Sequence, residues 1–191
     1  MKSELANTVP RLKRLLPRFR KLHIGVLGDL MLDRYVWGNA NRLSPEAAVP
    51  VVDYVSEQDC PGGAGNVAVN IAALGAQVEI FGVVGAQKSS GRGETAKHIT
   101  ADEAGAALHG CLRKLGIGDR GIVADADRVT TLKTRIIARH QQIVRIDHER
   151  RDPVASQTEE KLFRLLVASL DKFDGLVLSD YDKGLLADAF A

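Results

Sequence analysis

Cysteine is scarce in this sequence. Cys60 and Cys111 are the two present, without metal-ligand spacing or a disulfide framework, which suits a reducing cytoplasm. Net charge is scarce too: 26 basic residues against 24 acidic ones leave a formal +2, too little to argue by itself for nucleic acid. No apolar run approaches the roughly 18 residues that a membrane span needs. Two nucleotide signatures are also missing. Gly28-Asp-Leu-Met occupies the place of a Gly-x-Gly-x-x-Gly dinucleotide fingerprint, which weakens a Rossmann dehydrogenase reading. Gly91-Arg-Gly lacks the Gly-Lys-Ser/Thr ending of a P-loop. What remains is an ordinary globular composition, 45% apolar and 26% charged over 191 residues, enough for one domain with a sizeable core.

The stretch from Cys60 to Gly75 organises the rest. Gly62, Gly63 and Gly65 open it, followed by Asn66 and an alanine- and valine-rich run that Leu74-Gly75 closes. This reads as a buried helix with a glycine stop. Two readings stand side by side: a tight turn into a core helix, or a helix start whose open N–H groups receive a hydroxyl or an anion.

Ile24 to Gly28 reads as a buried first strand. Asp29 and Asp33 follow at its carboxyl end, where open α/β sheets place their ligands; the alternative for Asp33 is a cap or turn residue, against which its apolar flank Met31-Leu32 argues. Residues 34–41 read as a turn and Val49 to Val55 as an edge strand opened by Pro50. Val78 to Gly85 reads as a second buried strand, so that strand, helix and strand imply a parallel βαβ unit. Residues 86–101 are small, polar and glycine-rich, a surface loop with a phosphate loop as the alternative. Asp102 to Leu115 is helical, grouping Ala106, Ala107, Leu108, Cys111, Leu112 and Leu115.

Thr130 to Asp147 alternates around Arg139-His140-Gln141, giving a hairpin on which Lys133, Arg135 and Arg139 share a face. That face is either a solvated edge or a basic surface for an anionic ligand. Ser156-Gln-Thr-Glu159 has the form of a capping box, opening a helix with a Leu162, Leu165, Leu166, Leu170 stripe. Gly175 to Asp180 reads as a buried parallel strand with Asp180, Tyr181 and Lys183 at its carboxyl end. The basic leader, residues 1–21, fits an amphipathic targeting helix or a segment docked on the domain.

Gly28-Asp-Leu-Met-Leu-Asp33-Arg-Tyr, Ser44-Pro-Glu-Ala-Ala-Val-Pro-Val, Pro61-Gly-Gly-Ala-Gly-Asn-Val-Ala and Ser179-Asp-Tyr-Asp-Lys-Gly184 together resemble the ribokinase-like (phosphofructokinase-B type) carbohydrate kinases. The resemblance covers roughly Leu22 to Leu186 and is strongest to the kinases of ADP-heptose synthesis. It implies an α/β fold in which a mostly parallel, Rossmann-like sheet is flanked by helices, with a small β lid at about 49–55 and 130–147. It also implies ATP- and Mg2+-dependent phosphorylation of D-glycero-β-D-manno-heptose 7-phosphate at its anomeric oxygen, in a cytoplasmic protein that pairs through its lid strands and acts on neither nucleic acid nor membrane.

By position, Asp33 matches the family's sugar-hydroxyl acceptor, Gly62 and Gly63 its glycine pair, Asn66 its sugar-bonding asparagine, and Lys183 a place near the phosphate-transfer cleft, beside Asp180. Lys133, Arg135 and Arg139 are candidates for the 7-phosphate from their shared face. Two departures stand out. Residues 86–101 intrude where the family passes directly into its Asp-x-x-Gly helix. The family's Gly-Ala-Gly-Asp motif, which supplies the catalytic base and anion hole, and its magnesium-organising Asn-x-x-Glu are absent from the sequence. The C-terminal part of the fold is expected to be missing and the catalytic base to lie beyond Ala191. The competing expectation is a non-catalytic remnant that binds a sugar phosphate or a partner subunit.

Overall fold

The computed structural model describes residue 10, residues 13–87 and residues 100–186; the centre of the 86–101 insertion lies outside these residues. Residues 13–19 are helical. The remaining elements are β1 (His23–Gly28), β2 (Leu30–Leu43), β3 (Pro50–Gly63), α1 (Ala64–Ala73), β4 (Gln77–Gly85), α2 (Glu103–Lys114), β5 (Gly118–Asp125), β6 (Thr131–Ala138), β7 (Gln141–His148), α3 (Ser156–Val167) and β8 (Gly175–Ser179).

They form two four-stranded sheets. The core sheet, in the order β5-β4-β1-β8, is parallel throughout. Its two central strands, β1 and β4, read as nearly continuous apolar runs because helices cover both of their faces. Val26, Ile80 and Val84 pack with Ala64 and Ala68 of α1 and Leu108 and Leu112 of α2. Their chain neighbours Leu27 and Phe81, together with Val123 of β5, point the other way, onto Leu162 and Leu166 of α3.

The second sheet, named the lid sheet after the expectation from the resemblance, has the order β3-β2-β6-β7. β2 lies antiparallel to β3 and parallel to β6, and β6 antiparallel to β7. Its two faces differ in chemistry because residues two apart share a face. Asp33, Tyr35, Lys133, Arg135, Arg145 and Asp147 fall on one side by register, whereas Val36, Ile136 and Val144 fall on the other and line an open apolar hollow with Val52 and Tyr54. Among the described residues no helix is long and apolar enough to cross a membrane.

Several sequence expectations are corrected. Residues 34–41 are strand rather than turn, the middle of the 14-residue β2, because β3 and β6 pair with it on either side. The Val49–Val55 strand is longer, running from Pro50 through Gly63. The parallel partner of β4 is β1, not the strand that precedes α1, so the crossover contains the whole β2–β3 excursion. β5 was not legible as a strand. Ser156 does not cap α3; Ala155 holds that position and no side chain caps it. Leu165 and Leu170 are exposed, leaving Leu162 and Leu166 as the buried pair, and Leu115 of the α2 grouping is exposed as well. β8 is half-exposed, with Leu176 and Leu178 open to solvent.

Candidate functional site

Asp29 joins β1 to β2 at the carboxyl end of the core sheet, and its buried carboxylate fixes the segment that leaves β8. Oδ2 accepts the backbone N–H of Tyr181 at 2.8 Å and of Lys183 at 3.2 Å. Burial pushes this carboxyl above its ordinary pKa, and those two N–H groups partly restrain it. The Asp29 carbonyl accepts the Ala64 N–H at 3.0 Å, and its own N–H donates to Ser179 at 3.1 Å. One residue thereby gathers the ends of β1 and β8 and the start of α1.

The glycine pair serves close packing. Gly62 lies opposite Met31 in the β2–β3 ladder, and a Cβ there would sit 2.5 Å from Asp33 Oδ2. Gly63 adopts φ 56° and ψ −130° as the N-cap of α1, a region open essentially to glycine. A Cβ on it would collide with the Asp29 carbonyl. α1 therefore begins at Ala64, two residues before the position expected from Asn66. Asn66 sits on its exposed side, where its carbonyl accepts a bond from the Asn70 side chain at 3.0 Å.

Asp33 lies within β2 on the polar face of the lid. Its Oδ1 accepts a hydrogen bond from the Arg135 guanidinium at 2.7 Å, with both side chains 19% exposed. Arg135 also lies over the Tyr35 ring, 5.1 Å from its centroid, and Tyr35 stacks on Trp37 at 5.9 Å. Lys133, on the same face, donates to Asp147 and Glu149, each at 3.0 Å.

Arg139 is elsewhere. It sits in the β6–β7 turn with φ 50° and reaches Asn41 Oδ1 at 3.4 Å. Six residues of strand separate it from Lys133, about 20 Å along the ladder. Lys133 and Arg135 thus share the expected face, but Arg139 does not join them. The ladder is irregular between Ile136 and Ile137, and the reversal that follows breaks the alternation on which the reading rested.

Of the pair after β8, Asp180 is exposed and its carboxylate accepts the Asp182 N–H at 2.9 Å, closing a local turn. Lys183 is buried, and its ammonium reaches Glu149 at 3.1 Å. Glu149 is the residue that sequence reasoning missed. It follows β7, its side chain is 13% exposed, and it meets Lys133, Arg151 and Lys183 at 3.0, 2.9 and 3.1 Å. Burial alone would raise its pKa. The hydrogen bonds from those three cations outweigh that and hold it down to about 2.

Arg128, between β5 and β6, supports the same junction from below. It donates to the carbonyls of Asp152 and Lys183, both at 2.6 Å, and burial pulls its pKa below the ordinary arginine value. No three His, Cys, Asp or Glu side chains among the described residues gather to hold a metal ion.

No protein-family model matches the chain. It is 44% identical over 169 residues to the bifunctional protein HldE of Pelobacter propionicus, an alignment covering 88% of this chain and 32% of that protein. The chain thus spans about a third of the length of the curated relatives it matches. Among solved structures it resembles a carbohydrate kinase from Agrobacterium tumefaciens, with TM-score 0.57 and 22% identity over 82% of this chain and 45% of that one. It also resembles phosphofructokinase-2 from Escherichia coli, solved in complex with fructose-6-phosphate, with TM-score 0.55 and 16% identity over 83% of this chain and 45% of that one.

Proposed function

From a chain with the ribokinase-like carbohydrate-kinase fold that is homologous over most of its length to bifunctional HldE proteins, we propose the sugar-binding side of an ATP-dependent sugar-phosphate kinase. Its substrate is D-glycero-β-D-manno-heptose 7-phosphate, phosphorylated to the 1,7-bisphosphate in ADP-heptose synthesis. The observation that carries this reading is Asp33. One carboxylate oxygen is fixed by Arg135 at 2.7 Å and the other stands over Gly62, so the group is oriented before any ligand arrives.

In this reading Asp33 accepts a sugar hydroxyl, with Asn66 of α1 as a second polar contact. Lys133 and Arg135, on the polar lid face, attract the 7-phosphate. The relatives suggest ATP as donor with Mg2+, which neutralises charge on the moving phosphoryl group. The described residues gather no cluster of three metal-ligating side chains, so the ion would be held chiefly by the nucleotide phosphates and water with one or two carboxylates. A second copy of the chain, covering Val36, Ile136, Val144 and Tyr54 on the outer lid face, fits the expected homodimer.

Calorimetry tests the reading whether or not phosphoryl transfer follows. Asp33→Asn removes a charged acceptor from a half-buried site, and heptose 7-phosphate binding should weaken by about 1–3 kcal/mol. Unchanged affinity would take Asp33 out of the site. Because the sequence contains no Gly-Ala-Gly-Asp motif, the 191-residue chain alone should bind this sugar without releasing ADP from ATP.

A further inference from the structure

The ion pairs between lid and core converge on one carboxylate. Lys133 belongs to β6 in the lid sheet, and Lys183 to the segment leaving β8 in the core sheet. Glu149 reaches both ammonium groups, at 3.0 and 3.1 Å. The surrounding cluster is not neutral. Among the described residues, Lys133, Arg145, Arg151 and Lys183 form ion pairs with only Asp147 and Glu149, an excess of two positive charges. The two lysine side chains in it are 14% and 11% exposed.

Donor capacity remains on both lysines. An ammonium has three N–H donors. Lys133 uses two of its own, on Asp147 and Glu149, and Lys183 uses one, on Glu149. Two like charges this close would separate into solvent without the carboxylate between them. Held together they match a phosphate dianion, which takes several charge-assisted hydrogen bonds at once.

We infer that Glu149 is a positioning residue that holds Lys133 of the lid beside Lys183 of the core to form a phosphate-binding subsite at their junction. The inference rests on the sugar-phosphate reading above and deepens it by naming the cations that meet the phosphate. Arg139, at the far tip of the lid, has no part in the subsite. The anion is a substrate phosphate, carried by the sugar or by the nucleotide.

The test uses the full chain titrated calorimetrically with inorganic phosphate, heptose 7-phosphate, unphosphorylated heptose and ATP, for wild type, Glu149→Asp, Glu149→Gln and Lys183→Gln. Glu149→Asp conserves charge but is one methylene too short to span both lysines. If position matters, Glu149→Asp and Lys183→Gln each weaken phosphate binding at least about tenfold, as losing a charge-assisted hydrogen bond does. Glu149→Gln should weaken it too, although it adds to the net positive charge. Binding of unphosphorylated heptose should not change.

Wild-type phosphate affinity in Glu149→Asp, or tighter binding in Glu149→Gln, would overturn the inference, because charge alone would then explain the cluster. Loss confined to heptose 7-phosphate assigns the subsite to the sugar, and loss confined to ATP assigns it to the nucleotide. If the Glu149 variants bind normally while Asp33→Asn still weakens sugar binding, this inference fails and the sugar-site reading survives. If Asp33→Asn is silent as well, the sugar-site reading itself fails.

Discussion

Glu149→Gln provides a test of the lid–core junction that depends on pH and needs no ligand. The Glu149 carboxyl titrates at about 2 in the folded chain against an ordinary 4.5. That difference, at about 1.36 kcal/mol per pH unit, sets a ceiling of about 3.4 kcal/mol on what ionised Glu149 contributes to folding. Solvent screens part of this, since Arg151 is 64% exposed, and about 1–2 kcal/mol is the expected share.

The sign follows from the direction of the pKa change. A carboxyl depressed on folding contributes fully above its unfolded value near 4.5 and loses that contribution as pH falls through its folded value near 2. Urea unfolding of wild type and Glu149→Gln at a series of pH values from 7 to 3 reads this directly. The stability gap should be widest above about pH 5 and lose roughly half or more of its pH-dependent part by pH 3. Asp119, also depressed but paired with His109 and Arg113, cancels in the difference, whereas Asp147 shares Lys133 with Glu149 and its titration is coupled to the substitution. A gap of constant size across that range would refute the ion-pair account of Glu149.

Two further expectations concern the scaffold beneath the site. Gly63→Ala combines a backbone conformation open essentially to glycine with a Cβ pressed on the Asp29 carbonyl, and should cost about 2–4 kcal/mol by urea unfolding; a loss under about 0.5 kcal/mol would show that β3 and α1 can rearrange. Arg128→Lys keeps the charge but cannot reach the carbonyls of Asp152 and Lys183 together. Backbone N–H exchange at Lys183, bonded to Asp29, should therefore quicken, and unchanged protection would mean that Arg128 does not hold this segment.

The core sheet was largely legible because its strands carry their own signal. Ile24 to Gly28 and Val78 to Gly85 are apolar on both faces, as strands between two helical layers must be. The β6–β7 turn at Arg139-His140 was legible from its break in alternation. Asp102 marked the start of α2 and does cap it, accepting the Gly105 N–H at 2.8 Å. β2 was hidden because its lid portion mixes polar and apolar faces with Gly38, Asn39 and Asn41, which locally resemble a turn. Only pairing with β3 and with β6, about a hundred residues away, makes it strand. β5 begins Gly118-Asp-Arg-Gly121, again turn-like until β4 pairs with it.

In the site, Asp33 and the glycine pair were visible as a motif, but the reason for the glycines was not. Gly62 makes room for the Asp33 side chain and Gly63 for the Asp29 backbone. Glu149 carries no motif, because its role is defined by cations at positions 133, 151 and 183 that meet only after folding.

β2 begins one residue after β1 ends, so the two sheets are joined there by Asp29 alone. From that joint the strand runs 14 residues, an arm of at most about 45 Å at 3.3 Å per residue. Its root is anchored, with Leu30 and Leu32 packed in the core, so a swing of the outer strand would be a lever motion pivoting close to Asp29. Turning the arm by about ten degrees at Asp29 would carry its Leu43 end through about 8 Å, while Asp33, four residues from the pivot, would travel only about 2 Å. Groups near the pivot, Asp33 among them, would keep their alignment while the outer strand ends swept through a wide arc. The Asp29 bonds to Tyr181 and Lys183 would carry any torque on that arm into the segment that holds the Lys183 ammonium.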